Sequence, residues 1–91
     1  KGAGTLICDP VEKLAVIDGG NPGMAVGGMG DALTGVITGL ISQGIDLYQA
    51  ATLGTAAHSW AADRAADLAG ERGLLASDLI QQLPQIVNGY R

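Results

Sequence analysis

Phenylalanine is absent from this 91-residue sequence, and its only aromatic residues are Tyr48, Trp60 and Tyr90. The single cysteine, Cys8, excludes an internal disulfide and fits a reducing, cytoplasmic compartment. Small self-sufficient domains lean on large rings or disulfides, because a chain this short buries only about 60–65% of its unfolded surface. The 15 glycines add chain entropy that folding must overcome. The sequence therefore reads as one piece, residues 1–91 without an internal boundary, of a larger layered domain. Cys8, in a strand-like run, is expected to be a small buried hydrophobe.

Positive charge is also scarce. Five Lys and Arg against nine Asp and Glu leave a net charge of −4, and no basic stripe exists for nucleic acid to follow. Long apolar runs are missing too. Ala32 to Ile41 is the longest, half of the roughly 20 residues a membrane helix needs, and Gly35 and Gly39 break it. His58 is the only histidine, so no zinc set stands at ligand spacing. Placed among alanines in mid-helix, it reads as a packed or hydrogen-bonded side chain.

What is present is chiefly aliphatic: 47% of the residues are hydrophobic. Thr5-Leu-Ile-Cys8 and Leu14-Ala-Val-Ile17 are short apolar runs around turn residues, which predicts a β-hairpin of open register. Leu33, Val36, Ile37, Leu40 and Ile41 follow helical spacing, with Gly44 placed to end that helix. Asp46 is a cap for a second, alanine-rich helix reaching about Ala69, stopped by Gly70. Its small residues predict a buried layer helix. Trp60 is expected as a core or subunit-interface anchor, and Asp63-Arg64 through Glu71-Arg72 as a solvated face. A third helix is expected to start near the cap candidate Ser77 and run through Leu79, Ile80 and Leu83 into Pro84.

Between hairpin and helix the chain changes character. Asp18 to Gly30 holds six glycines and a proline in thirteen residues, interleaved with Met24, Ala25, Val26 and Met29. A flexible linker is normally polar. This composition predicts an ordered loop packed on a core. It ends in Gly27-Gly28-Met29-Gly30-Asp31, where glycines let backbone N–H groups converge on an anion at a helix N-terminus. No Gly-Lys-Ser/Thr follows, so it is not a Walker A loop. Asp31 would repel a bound phosphate, which suits a general base that takes the proton of a hydroxyl attacking a phosphoryl group. The N–H groups of Gly28, Met29 and Gly30 would then stabilise the transferred charge. A helix-start acid beside a plain turn is the simpler alternative.

Asn21-Pro-Gly-Met-Ala-Val-Gly-Gly-Met-Gly-Asp-Ala-Leu-Thr-Gly35 resembles the signature of the ADP/ATP-dependent NAD(P)H-hydrate dehydratases. Lys1-Gly-Ala-Gly-Thr5 resembles that family's adenylate-binding segment, and the likeness continues through Gly39-Leu-Ile-Ser-Gln-Gly44, His58 and Ala76-Ser-Asp-Leu-Ile80. Gly-x-Gly-Asp alone is shared by the wider ribokinase-like superfamily.

The resemblance implies an α/β fold, a ribokinase-like three-layer αβα sandwich of which this chain is the C-terminal portion. It also implies repair of hydrated NADH and NADPH: the hydrate hydroxyl is phosphorylated from ADP (ATP in eukaryotic relatives), and phosphate then leaves. By position, Lys1, Gly2, Ala3, Gly4, Thr5 and Gly30 contact the adenylate, and Asp31 contacts the hydrate as base. Mg²⁺ is expected on the nucleotide phosphates, and a homo-oligomer in the full-length protein. The alternatives are a small-alcohol kinase of the same superfamily and a non-catalytic nucleotide-binding module.

Overall fold

The computed structural model describes residues 5–9 and 14–88. Strands β1 (Thr5–Cys8) and β2 (Leu14–Ile17) are followed by a 3-10 turn at Pro22–Met24 and by helices α1 (Met29–Ser42), α2 (Leu47–Ala69) and α3 (Ala76–Val87). The strands pair antiparallel, Thr5 opposite Ile17, Leu6 opposite Val16, Ile7 opposite Ala15 and Cys8 opposite Leu14. Side chains alternate across the sheet. Ile7 is therefore buried on the side facing α2, while Leu6, Cys8, Leu14 and Val16 are exposed on the other. Cys8 is a correction: it is exposed, because no described element covers its face of the hairpin.

Helix α2 is the centre of the structure, packing on both strands, α1 and α3. Its alanines make this feasible, since small side chains let neighbours approach from several sides. Ala50, Gly54 through Ser59, Ala61, Ala62 and Ala65 are all buried. The core cluster joins Ala61, Ala62 and Ala65 to Met29, Leu74 and Leu79, with Met24, Leu83 and Ile86 packed at its margin. Met24 and Met29 thus anchor the glycine-rich loop to the core, as their interleaving predicts. The α1 stripe is only half covered: Met29 is the one buried residue of that helix.

The helix ends follow local chemistry. Asp46 caps α2 by accepting the N–H of Gln49 at 3.0 Å. Gly44, at φ 90°, donates its N–H to Ile41 O at 3.0 Å and closes α1 as a C′ glycine. Ser77 is not the cap of α3. That helix begins at Ala76, and Asp78 reaches back to accept the N–H of Leu75 at 2.9 Å. The carboxylate at the third helical position substitutes for a side-chain cap that Leu75 lacks. Pro84 lies inside α3, which continues to Val87. Trp60 is 59% exposed and so is no core residue. Among the described residues, no helix is long and apolar enough to cross a membrane.

Candidate functional site

The loop from β2 to α1 is built by short-range hydrogen bonds that its motif residues make possible. Asn21 is extended and its Oδ1 accepts the N–H of Gly23 at 3.0 Å, which starts the 3-10 turn. Pro22 suits the first position of that turn, where its missing N–H is not needed. The Met24 N–H then donates to Asn21 O at 3.1 Å and the Ala25 N–H to Pro22 O at 3.2 Å. Gly23 lies against the backbone of the α2–α3 connection: an added Cβ would stand 2.5 Å from Glu71 O.

Gly28 caps α1 from the left-handed region at φ 91°, and it offers no side-chain hydrogen bond to the helix. The Ala32 N–H closes the first turn onto Gly28 O at 2.9 Å. The N–H groups of Met29, Gly30 and Asp31 precede that bond and have no partner within the helix, which is the arrangement that holds an anion. Thr34 Oγ1 donates back to Gly30 O at 3.0 Å and tightens the same turn.

This first turn of α1 separates two concavities. On one side lies a cavity of about 520 Å³, within the usual range for small-molecule sites. Thr5 of β1 borders it, as do Asp18 through Pro22, Met24 and Ala25 of the loop, Met29, Gly30 and Leu33 of α1, and His58 and Ser59 of α2. On the other side an open groove runs between Gly28, Asp31, Ala32, Gly35 and Val36 of α1 and Ile80 and Leu83 of α3. Asp31 borders this groove, not the cavity, and is exposed there. The structure therefore brings Thr5, Met29 and Gly30 together around the cavity and sets Gly28 and Asp31 on the groove. Lys1, Gly2, Ala3 and Gly4 lie outside the described residues.

Two residues of α2 tie this assembly down. His58 is buried, with Nε2 3.0 Å from Met29 O. A carbonyl only accepts, so Nε2 carries the proton. Burial lowers the His58 pKa below its ordinary 6.5, and the bond to Met29 opposes that shift only in part. Asp63 corrects the solvated-face expectation. It is half-buried, and its carboxylate accepts the Gly20 N–H at 3.0 Å and an Asn21 side-chain N–H at 2.9 Å. Its charge, in an alternation of acids and bases along α2, looks like surface decoration in sequence. Only the helical phase shared with the buried Ser59, four residues earlier, hints otherwise.

Among the described residues, no group of three or more His, Cys, Asp or Glu side chains could hold a metal ion. Asp18 is the one carboxylate among the described residues bordering the cavity. Such a donor set suits Mg²⁺ carried mainly by phosphates and water, with at most one protein ligand.

The profile of the NAD(P)H-hydrate dehydratase family matches residues 1–85. The chain belongs to that family. Its relatives include the bifunctional NAD(P)H-hydrate repair enzymes Nnr of Coxiella burnetii and Vibrio cholerae, each 56% identical over 88 residues. The Escherichia coli enzyme of the same name is 50% identical over 88 residues. Each match takes in 97% of this chain but only 17–18% of the relative, so the chain spans less than a fifth of the length of these family members.

Proposed function

We propose that this chain is the phosphate-handling, C-terminal part of a ribokinase-like domain that repairs (S)-NAD(P)H hydrate at the expense of ADP. The observation that carries this reading is the position of the first α1 turn, with a nucleotide-sized cavity on one side and Asp31 on the other. The adenylate occupies the cavity bordered by Thr5 and Gly30, and the hydrate approaches through the groove. The terminal phosphoryl group lies against the N–H groups of Gly28, Met29 and Gly30, which hold its charge as it transfers. Asp31 accepts the proton of the hydrate hydroxyl as that oxygen attacks phosphorus. ADP becomes AMP, and the hydroxyl becomes a phosphate ester. Phosphate is a far better leaving group than hydroxide, so its departure, with loss of a proton from the adjacent ring carbon to water, restores the ring double bond and regenerates the dihydronicotinamide.

Mg²⁺, when bound, neutralises charge on the nucleotide phosphates, and Asp18 is the cavity carboxylate placed to contribute a ligand. The exposed face of Leu6, Leu14 and Val16 receives the rest of a three-layer αβα sandwich. On this reading the chain by itself does not turn over substrate.

The test uses the intact protein with NAD(P)H hydrate, ADP and Mg²⁺, following the absorbance of regenerated dihydronicotinamide. Wild type is expected to recover the absorbance. Asp31→Asn is expected to be slower by about 10²- to 10⁴-fold while still binding ADP. Unchanged turnover in that variant removes Asp31 as the base. Failure of wild type, together with ATP-driven phosphorylation of small alcohols, would identify a kinase instead.

A further inference from the structure

We propose that Asp63 is a positioning residue for the nucleotide, holding the Gly19–Asn21 wall of the cavity in the shape that binds the adenylate. The proposal rests on the assignment of that cavity to the adenylate. Asp63 itself does not border the cavity, but three consecutive residues that do, Gly19, Gly20 and Asn21, are fixed by it or packed against its helix.

The connection runs through one carboxylate. Oδ2 accepts the backbone N–H of Gly20 at 3.0 Å, and Oδ1 accepts the Asn21 side-chain amide at 2.9 Å. Asn21 passes the constraint on, because its Oδ1 accepts the N–H of Gly23 at 3.0 Å. Both oxygens of Asp63 and both ends of the Asn21 amide are thus engaged in one directional relay from α2 to the 3-10 turn. Packing confines the loop as well. A Cβ on Gly19 would lie 3.2 Å from Ser59 Cβ and 3.7 Å from Asp63 Oδ2, and Gly20 holds φ 109° with Met24 Sδ against it. A carboxylate is needed here because Asn21 and Gly20 both present donors. An amide at position 63 has only one oxygen, and its nitrogen would face one of those donors with another.

The relay can be reversed without changing its shape. When Asn21→Asp is combined with Asp63→Asn, the amide at position 63 donates to the carboxylate at position 21 and accepts from Gly20. The second carboxylate oxygen at position 21 accepts from Gly23. All three contacts return, with the polarity of the side-chain pair inverted.

The experiment measures ADP affinity, KM for ADP, kcat and amide hydrogen exchange at Gly20 and Gly23 in the intact protein. Four forms are compared: wild type, Asp63→Asn, Asn21→Asp and the double variant. Each single variant is expected to weaken ADP binding and raise KM about ten- to a hundredfold, with kcat little changed and exchange at Gly20 faster without nucleotide. The double variant is expected to recover both affinity and protection. Equal ADP affinity in all four forms overturns the proposal while leaving the cavity assignment standing, as does a uniform loss of melting temperature with no change in KM. Absence of ADP binding by wild type overturns the cavity assignment and the proposal together. If a single variant does not fold, the double variant decides, and its failure to restore binding also overturns the role of Asp63.

Discussion

Gly54 tests how closely α1 and α2 approach. Replacing a helical glycine by alanine normally stabilises, by about 0.8–1 kcal/mol of helix propensity. At Gly54 the new methyl would lie 2.7 Å from Ile37 Cγ1 and 3.4 Å from Ile37 Cα. Ile37 is β-branched and has one strongly preferred χ1 in a helix, so moving Cγ1 aside costs about 0.5–1.5 kcal/mol. Moving the backbones apart instead unpacks the helix pair, and overpacking of this kind costs about 1–3 kcal/mol. The steric cost at least cancels the propensity gain, and Gly54→Ala is expected to give no stabilisation, losing about 0–2 kcal/mol net. Gly39 on α1 is the control, because nothing lies within 4 Å of an added Cβ there. Gly39→Ala is expected to gain up to about 1 kcal/mol. Urea unfolding of the intact protein reads both as shifts of midpoint at constant slope. If Gly54→Ala and Gly39→Ala stabilise equally, the contact with Ile37 is not as tight as described and the reasoning fails.

Further expectations concern the loop, the buried histidine and the open sheet face. Burial lowers the folded pKa of His58, so the unfolded chain takes up a proton that the folded chain refuses. Its contribution is complete above the unfolded value of about 6.5 and is lost as pH falls toward the lower folded value. The slope is at most about 1.4 kcal/mol per pH unit. Comparing unfolding of wild type and His58→Gln from about pH 8 to about pH 5 reads this component, which should vanish in the variant. Gly23→Ala drives a methyl to 2.5 Å from Glu71 O, so the turn must shift at a cost of about 1–3 kcal/mol. KM for ADP should rise with it, and steady-state kinetics with unchanged KM would contradict the loop's part in binding. Cys8 is exposed in this chain. A thiol reagent should therefore label the isolated chain quickly and the intact protein slowly, if the hairpin face is covered by the rest of the domain.

Much of the local structure is legible in the residues because its causes are local. The Gly44 stop, the Asp46 cap and the place of Asp31 in the first turn of α1 each depend on groups a few residues apart. The packed glycine loop is legible from Met24 and Met29, whose apolar side chains would not suit a solvated linker. Ser77 misleads because it is a good cap residue by type, whereas Asp78 one position later supplies the hydrogen bond. Cys8 misleads because Leu6, Ile7 and Cys8 are all compatible with burial, so the strand carries no alternation to say which face is covered. Asp63 misleads because a charge beside Arg64 on a long helix has the same local appearance whether it meets water or a loop.

The amino-acid sequence by itself determined the elements, the glycine-rich start of α1 and the family, since spacing along the chain encodes all three. Tertiary structure alone decided that the first turn of α1 divides a cavity from a groove, with Gly30 on one side and Asp31 on the other. It also decided the pairing of Met29 with His58, and of Gly20 and Asn21 with Asp63, across 29, 43 and 42 residues. Partners that far apart leave no periodic trace. They meet because α2, built of small residues, lets the loop and α1 pack onto adjoining faces of it, and those faces are defined only once the helices are packed together.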